Sequence, residues 1–172
     1  MKTYLRFGFA ASAVCVAFYL GYETGTYKMW AHSKSWEASS LAFDMKKQYK
    51  YEKFQSAEEL HEYLKDSLFQ NLDQSFYDYG KYLSHWTSSI PIDRRLDKDT
   101  KHGFGKASGM YLIRRSPPAT NIEASVQKII DEMLEAGEVE VEQSDQLTDY
   151  LIERSRDRQA NIARALQHLG KE

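Results

Sequence analysis

An apolar run of sixteen residues, Phe7–Tyr22, lies near the N-terminus of this 172-residue chain and constrains its architecture more than any other feature. Lys2 and Arg6 precede the run, and a border rich in tyrosine follows it. A helix over these residues is about 24 Å long, against about 30 Å for the hydrocarbon core of a bilayer. Because extension to Thr26 closes that gap, the sequence predicts a single membrane-spanning helix over 1–27.

A cleaved secretory signal is the alternative interpretation of a basic start followed by an apolar core. Cleavage needs small residues after the core, whereas the pattern Ala11-x-Ala13 lies inside it. The sequence therefore favours an uncleaved signal-anchor. Because the basic head is only six residues long, we expect the N-terminus to stay in the cytoplasm. The rest of the chain would then be exported to the periplasm or an equivalent compartment.

Small residues recur at every fourth position of the apolar run and would line one helix face: Ala13, Ala17, Gly21 and Gly25. Small side chains let a second helix approach closely, so this face is a candidate for membrane-helix packing. The alternative is that alanine and glycine are simply common in membrane helices. The single cysteine, Cys15, also lies in the run, which excludes an intramolecular disulfide.

The rest of the chain predicts a small, mainly α-helical domain. In the region 28–90 we expect a stalk helix over 33–54, and then an amphipathic helix whose leucine and aromatic residues recur every three or four positions. In the region 120–172 we expect a helical pair with Gly137 as the cap of its first helix. Capping-box pairs mark two helix starts: Ser56 with Glu59, and Thr120 with Glu123. Three tyrosines fall off the amphipathic stripe, where they suit a protein contact: Tyr63, Tyr77 and Tyr82.

Residues 91–119 contain all three prolines and three glycines, so we expect a basic loop there. Between 93 and 115 the chain carries seven basic and three acidic residues, a net charge of +4. The candidate ligands for an anion are Arg94, Arg95, Lys101, Lys106, Arg114 and Arg115. The loop is not a P-loop, because Ala107 stands where that motif needs a metal-binding hydroxyl. A solvated flexible loop is the alternative interpretation.

Two further segments have a pattern of their own. Residues 109–113 are apolar and 138–142 alternate glutamate with valine, so a short two-stranded β element between them is an optional part of the predicted fold. Residues 131–149 carry eight acidic residues and no basic one, but not in the order of a calcium loop. We interpret them as a solvated acidic surface, which could attract the basic loop within a chain or between chains.

Catalytic and metal-binding patterns are incomplete in this sequence. Glu58, His61 and Glu62 share one helix face, but the chain has no second Glu-x-x-His with which to build a di-metal site. We therefore predict no catalytic residue, no metal site, no cofactor and no enzyme. The net charge of −2 gives no reason to expect a nucleic-acid partner.

These features favour a single-pass, membrane-anchored accessory or assembly subunit that acts through protein–protein contacts. Its expected partners are the membrane, other subunits of a membrane complex, or a second copy of itself. The alternative is a membrane-tethered binder or sensor of a small anion or an anionic lipid through the basic loop. A small hydrolase is a third hypothesis, with no motif to support it.

Overall fold

The computed structural model describes residues 2–51, 58–91 and 94–171, which form α-helices, one short 3₁₀ turn and no β-strand. The helices are α1 (Lys2–Tyr51), α2 (Glu58–Ser84), α3 (Arg94–Arg114), α4 (Ile122–Glu135) and α5 (Val141–Leu169), and the 3₁₀ turn is Trp86–Ser89. α1 packs on α2 and α3, α5 packs on α2, and α4 packs on α5. The predicted mainly α-helical class is confirmed.

The second half of α1 packs through a narrow seam of mostly small side chains. Its buried members are alternately four and three residues apart: Thr24, Lys28, Ala31, Ser35, Ala38, Ala42 and Met45. This seven-residue repeat keeps them on one stripe of the helix, as in a coiled coil. Small residues let α3 come close, and Ser39 Oγ donates a hydrogen bond to the carbonyl of Gly103 at 3.0 Å.

The centre of the core is aromatic. Phe76 and Tyr79 of α2 are fully buried and meet two buried rings of α3. The ring of Tyr79 stacks on Phe104 with centroids 4.1 Å apart, and that of Phe76 stacks on Tyr111 at 4.3 Å. Stacked rings add to the stability that burial of their area already provides. The amphipathic stripe predicted for α2 therefore supplies the core.

A polar network ties three helices together beside this core. Tyr111 Oη of α3 donates a hydrogen bond to Asp73 Oδ1 of α2 at 2.6 Å. Arg158 of α5 donates to the other carboxylate oxygen, through Nε at 3.0 Å and Nη2 at 2.5 Å. Because both oxygens of Asp73 are satisfied by groups from different helices, the network fixes how α2, α3 and α5 lie relative to one another.

The predicted loop over 91–119 is wrong, since Arg94–Arg114 of this segment form α3. Its glycines lower intrinsic helix propensity by about 1 kcal/mol each. Tertiary packing overrides that cost, because Phe104, Ala107 and Tyr111 recur at intervals of three and four and are all fully buried. The prolines are compatible with the helix because they lie outside it.

The optional β element is also wrong. Residues 109–113 belong to α3, and 138–142 contain the turn before α5 and the first residues of that helix. Five alternating residues have no strand to pair with here, and an isolated short strand is not stable.

The predicted cap at Gly137 is confirmed by its positive φ of 71°. At the start of α4 the cap is the side chain of Asn121, which accepts a hydrogen bond from the Ala124 N–H, and not that of the predicted Thr120 one position earlier.

The other predicted capping box lies partly outside the described residues. Ser56 is not described, and α2 begins at Glu58. The stalk helix predicted over 33–54 is in fact the second half of α1, which ends at Tyr51.

The predicted membrane-spanning helix over 1–27 is contradicted. Across 2–51, 58–91 and 94–171, no helix has a stretch that is both long and apolar enough to cross a membrane. The sixteen-residue run is too short alone, and the extension that it needs reaches Thr24, which is buried against the other helices. The predicted signal-anchor and single-pass location are therefore wrong. The predicted export depended on the anchor and is wrong with it.

Candidate functional site

The first half of α1 projects beyond the helices that cover its second half. Every side chain from residue 12 to residue 22, here named the projecting segment, is exposed. Its large apolar side chains are exposed by 78% at Phe18, 68% at Val14 and 68% at Tyr22, and Tyr19 and Val16 are exposed by more than half. A helix that is apolar on all sides is normally covered, so we expect another molecule to bind over this surface.

The four small residues predicted to form a packing face lie mostly on this segment. Ala13, Ala17 and Gly21 are exposed and Gly25 is half-buried. A Cβ atom added at Gly21 or at Gly25 would meet no atom within 4 Å. No described helix of this chain therefore packs on that face at the two glycines. The membrane part of the prediction fails with the span, and the packing role stays a prediction.

An aromatic cleft of about 560 Å³ opens on α1 just after the projecting segment, between α1, the end of α2 and His85. Four of the side chains that line it carry rings: Tyr27, Trp30, Tyr82 and His85. The rings of Tyr27 and His85 stack with centroids 4.0 Å apart and planes 8° from parallel. His85 is oriented by Thr87, whose Oγ1 lies 2.8 Å from its Nδ1.

An ion pair between a buried lysine and a partly exposed aspartate lies beside Tyr82 of the cleft. Lys28, only 2% exposed, pairs its Nζ with Asp97 Oδ1 of α3 at 2.5 Å. Burial, together with the charge of Asp97 and a hydrogen bond to it, raises the pKa of Tyr82 to about 12. Tyr82 is therefore a neutral donor at any ordinary pH, and the carboxylate of Asp97 binds groups of both α1 and α2.

The rim of the cleft is charged. Asp78 Oδ2 lies 3.8 Å from Lys34 Nζ, and Lys34 also pairs with Glu37 at 2.8 Å. The hydrogen bond that Lys34 donates to Glu37 is the main reason that the pKa of Lys34 is raised. Lys81, also on the rim, lies over the ring of Tyr77 at 6.0 Å. An aromatic floor with a mixed charged rim is the usual make-up of a protein contact site.

The six predicted anion ligands do not converge. Arg94 and Arg95 begin α3 and Arg114 ends it, which separates them by about 30 Å. Arg114 already pairs with Glu62, at 3.2 Å, and with Asp66. Arg115 lines a separate groove of about 540 Å³ beside the end of α5. The other two candidates, Lys101 and Lys106, are exposed in the middle of α3.

The metal-like cluster of α2 is engaged in ion pairs as far as it is described. Hydrogen bonds from Lys65 and Arg114 lower the pKa of Glu62. The side chains of Glu58 and His61 lie outside the described residues. Among the residues that the structure does describe, no three histidine, cysteine or carboxylate side chains group closely enough to hold a metal ion.

Sequence reasoning identified aromatic residues of the cleft without placing them together. Tyr82 was expected at a protein contact, as was Tyr77, which does not line the cleft, but Tyr27 and Trp30 were assigned to a membrane border. His85 has no motif around it. The stacking of Tyr27 on His85 joins residues 58 positions apart, and no local pattern encodes such a pair.

Comparison of the chain with protein-family models, with curated proteins and with solved structures finds no significant match.

Proposed function

We propose that this protein is an accessory or assembly subunit that acts through protein–protein contact. Its partner covers the projecting segment and inserts a side chain into the aromatic cleft. The observation that carries the proposal is the complete exposure of residues 12–22, an apolar stretch of a helix whose continuation is packed. Exposed apolar patches of this kind on a folded protein mark sites of interaction.

The size of the surface is sufficient for a specific contact. Aromatic side chains each bury about 150–250 Å² when fully covered, so the exposed large side chains of the segment offer on the order of 600 Å². A standard interface buries about 800 Å² on each partner, and the adjoining cleft supplies the difference. Trp30 and Tyr27 at the cleft are of the residue types that dominate binding energy.

A protein partner fits better than the predicted anion. The basic residues are spread along α3, and Arg114 is already paired with carboxylates. A small anion needs several donors at one point, which the described geometry does not provide. The apolar segment and the ring-lined cleft, in contrast, adjoin each other on one helix.

The test is purification of the tagged full chain from cells that make it naturally, with the native mass and stoichiometry of what elutes. We expect a stoichiometric partner, either another subunit or a second copy. Phe18→Ser with Tyr22→Ser should abolish its retention, because both side chains are exposed on the projecting segment. Trp36→Ser with Phe43→Ser is the matched control, since these rings are exposed on the other half of α1.

Two results would contradict the proposal. One is a chain that elutes as a monomer without a stoichiometric partner. The other is equal retention of the partner by both double variants. A photoreactive residue placed at Phe18 should crosslink to the partner, whereas the same residue at Phe43 should not.

A further inference from the structure

The outer face of α3 is basic and has no partner within the described chain. Three cations are exposed along it and lie within about 60° of one another around the helix: Arg94, Lys98 and Lys101. The ion pairs of α3 with described residues involve Asp97 and Arg114 instead. The exposed Asp99 and Lys106 lie on the side of α3 that borders α1. The three cations, here named the basic face, span about 10 Å of helix.

The hairpin of α4 and α5 has the opposite charge. All eight acidic residues of 131–149 are exposed, and no basic residue lies among them. Glu132 pairs with Lys128 at 3.6 Å, and Gln127 donates a hydrogen bond to Asp131. The other six carboxylates have no ion-pair partner among the described residues. We name residues 131–149 the acidic hairpin.

These two surfaces do not meet within one chain. Among the described helices, α4 contacts α5 alone, and α5 reaches α3 through its C-terminal part, where Leu166 is buried. The chain therefore folds with two complementary surfaces left open. Because its net charge is only −2, two copies approach without strong overall repulsion, and the local charges determine their orientation.

We propose that the basic face of α3 docks the acidic hairpin of a second copy of this chain. The second copy is the occupant that the charges favour, since each chain carries both halves of the contact in equal amount. The two surfaces differ, so the contact is head-to-tail and produces rings or open chains rather than a closed two-fold dimer. This contact is separate from the projecting segment and does not depend on it.

Sedimentation of the purified full chain at about 20 mM and about 500 mM NaCl tests the proposal. The Debye length falls from about 20 Å to about 4 Å over this range, so we expect association to weaken on the order of tenfold or more. An apolar contact through the projecting segment should not weaken over this range, because salt screens charges and not apolar burial. A chain that is monomeric at low salt, or associates more strongly at high salt, would overturn the proposal.

Charge reversal gives a second, sharper test. We expect Lys98→Glu with Lys101→Glu to sediment as a monomer, since the charge of the basic face changes from +3 to −1 and then opposes an acidic hairpin. Glu135→Lys with Glu138→Lys lowers the charge of the acidic hairpin from −8 to −4 and should weaken association. An equimolar mixture of the two double variants should associate, because the unmodified hairpin of the first fits the unmodified face of the second. Lys46→Glu with Lys47→Glu, also exposed, is the control for net charge and should associate as the unmodified chain does. Association of the face variant as strong as that of the unmodified chain, or no association in the mixture, would overturn the proposal.

All the substituted side chains are exposed, so helix content by circular dichroism should be unchanged in each variant. The salt dependence of the unmodified chain tests the contact without any substitution.

Discussion

Replacement of Gly80 by alanine tests the packing of α2 on α5. A Cβ atom at this position would lie 1.7 Å from the carbonyl oxygen of Asn161 and 2.3 Å from its carbonyl carbon. An ordinary contact needs about 3.5 Å, so α5 has to move by about 2 Å. Such a shift also breaks the hydrogen bond that Arg164 Nη1 donates to the Gly80 carbonyl at 3.2 Å.

The expected loss follows from three effects. Overpacking of a close helix contact costs about 1–3 kcal/mol. Loss of a hydrogen bond from a charged group costs about 1.5–3 kcal/mol. Alanine regains up to about 1 kcal/mol through its higher helix propensity, which leaves a net decrease of about 2–4 kcal/mol in the free energy of unfolding.

Urea denaturation followed by circular dichroism at 222 nm measures this difference. Gly109→Ala is the matched control, because a Cβ atom there would meet nothing within 4 Å. The same substitution should raise the free energy of unfolding by about 0.5–1 kcal/mol at Gly109. A Gly80→Ala variant as stable as the unmodified chain would refute the close approach of the two helices.

Three further predictions concern buried polar groups. Asp97→Ala leaves the ammonium of Lys28 buried and unpaired, and should lower the free energy of unfolding by about 3 kcal/mol in urea denaturation. Tyr111→Phe removes the hydrogen bond to Asp73 and should cost about 1.5–3 kcal/mol in the same assay. Because the folded state raises the pKa of Tyr82 to about 12, stability that is present below pH 10 should decline as the pH rises towards 12, and Tyr82→Phe should flatten that decline in denaturation measured across this range.

Each of these has a control. Lys28→Met combined with Asp97→Ala should recover most of the loss, and a double variant less stable than Asp97→Ala would contradict the buried pair. Tyr150→Phe removes an exposed hydroxyl and should change stability by no more than about 0.5 kcal/mol. For the pH prediction, equal alkaline slopes with and without the Tyr82 hydroxyl would show that its pKa is not raised.

The helices whose core residues are large and periodic could be predicted from the sequence. Leu72, Phe76 and Tyr79 recur every three or four positions on α2, and all are buried. Gly137 marked the end of α4, since only glycine adopts its positive φ without strain. In both cases a local pattern encodes the local structure.

The packing of α1 could not be predicted from a local sequence pattern. Its seam consists of threonine, lysine, alanine, serine and one methionine, whereas large aromatic residues of the same stretch, such as Trp36 and Phe43, are exposed. Small residues fit there because α3 lies close, and the sequence of α1 alone does not show that neighbour. The sequence therefore predicted a stalk helix here without a face that packs on the core.

Helix α3 was also predicted wrongly from the local features of its sequence. Glycine and charge predict a loop when each residue is judged alone, but the buried spacing of Phe104, Ala107 and Tyr111 decides the outcome. The apolar segment was recognised from the sequence, but the burial of Thr24 and Lys28 beside it is visible only in the fold. The cleft joins residues near 27 and near 85, so only the fold could reveal it.

The reactivity of Cys15 tests the central claim, that a protein partner covers the projecting segment. It is the single cysteine of the chain, and it is exposed among the apolar side chains of that segment. Its rate of modification by a maleimide can be compared between the isolated chain and the purified native complex. We expect modification to be at least about tenfold slower in the complex, because the cleft and segment together match a standard interface that excludes water. Equal rates in the two samples would contradict the claim.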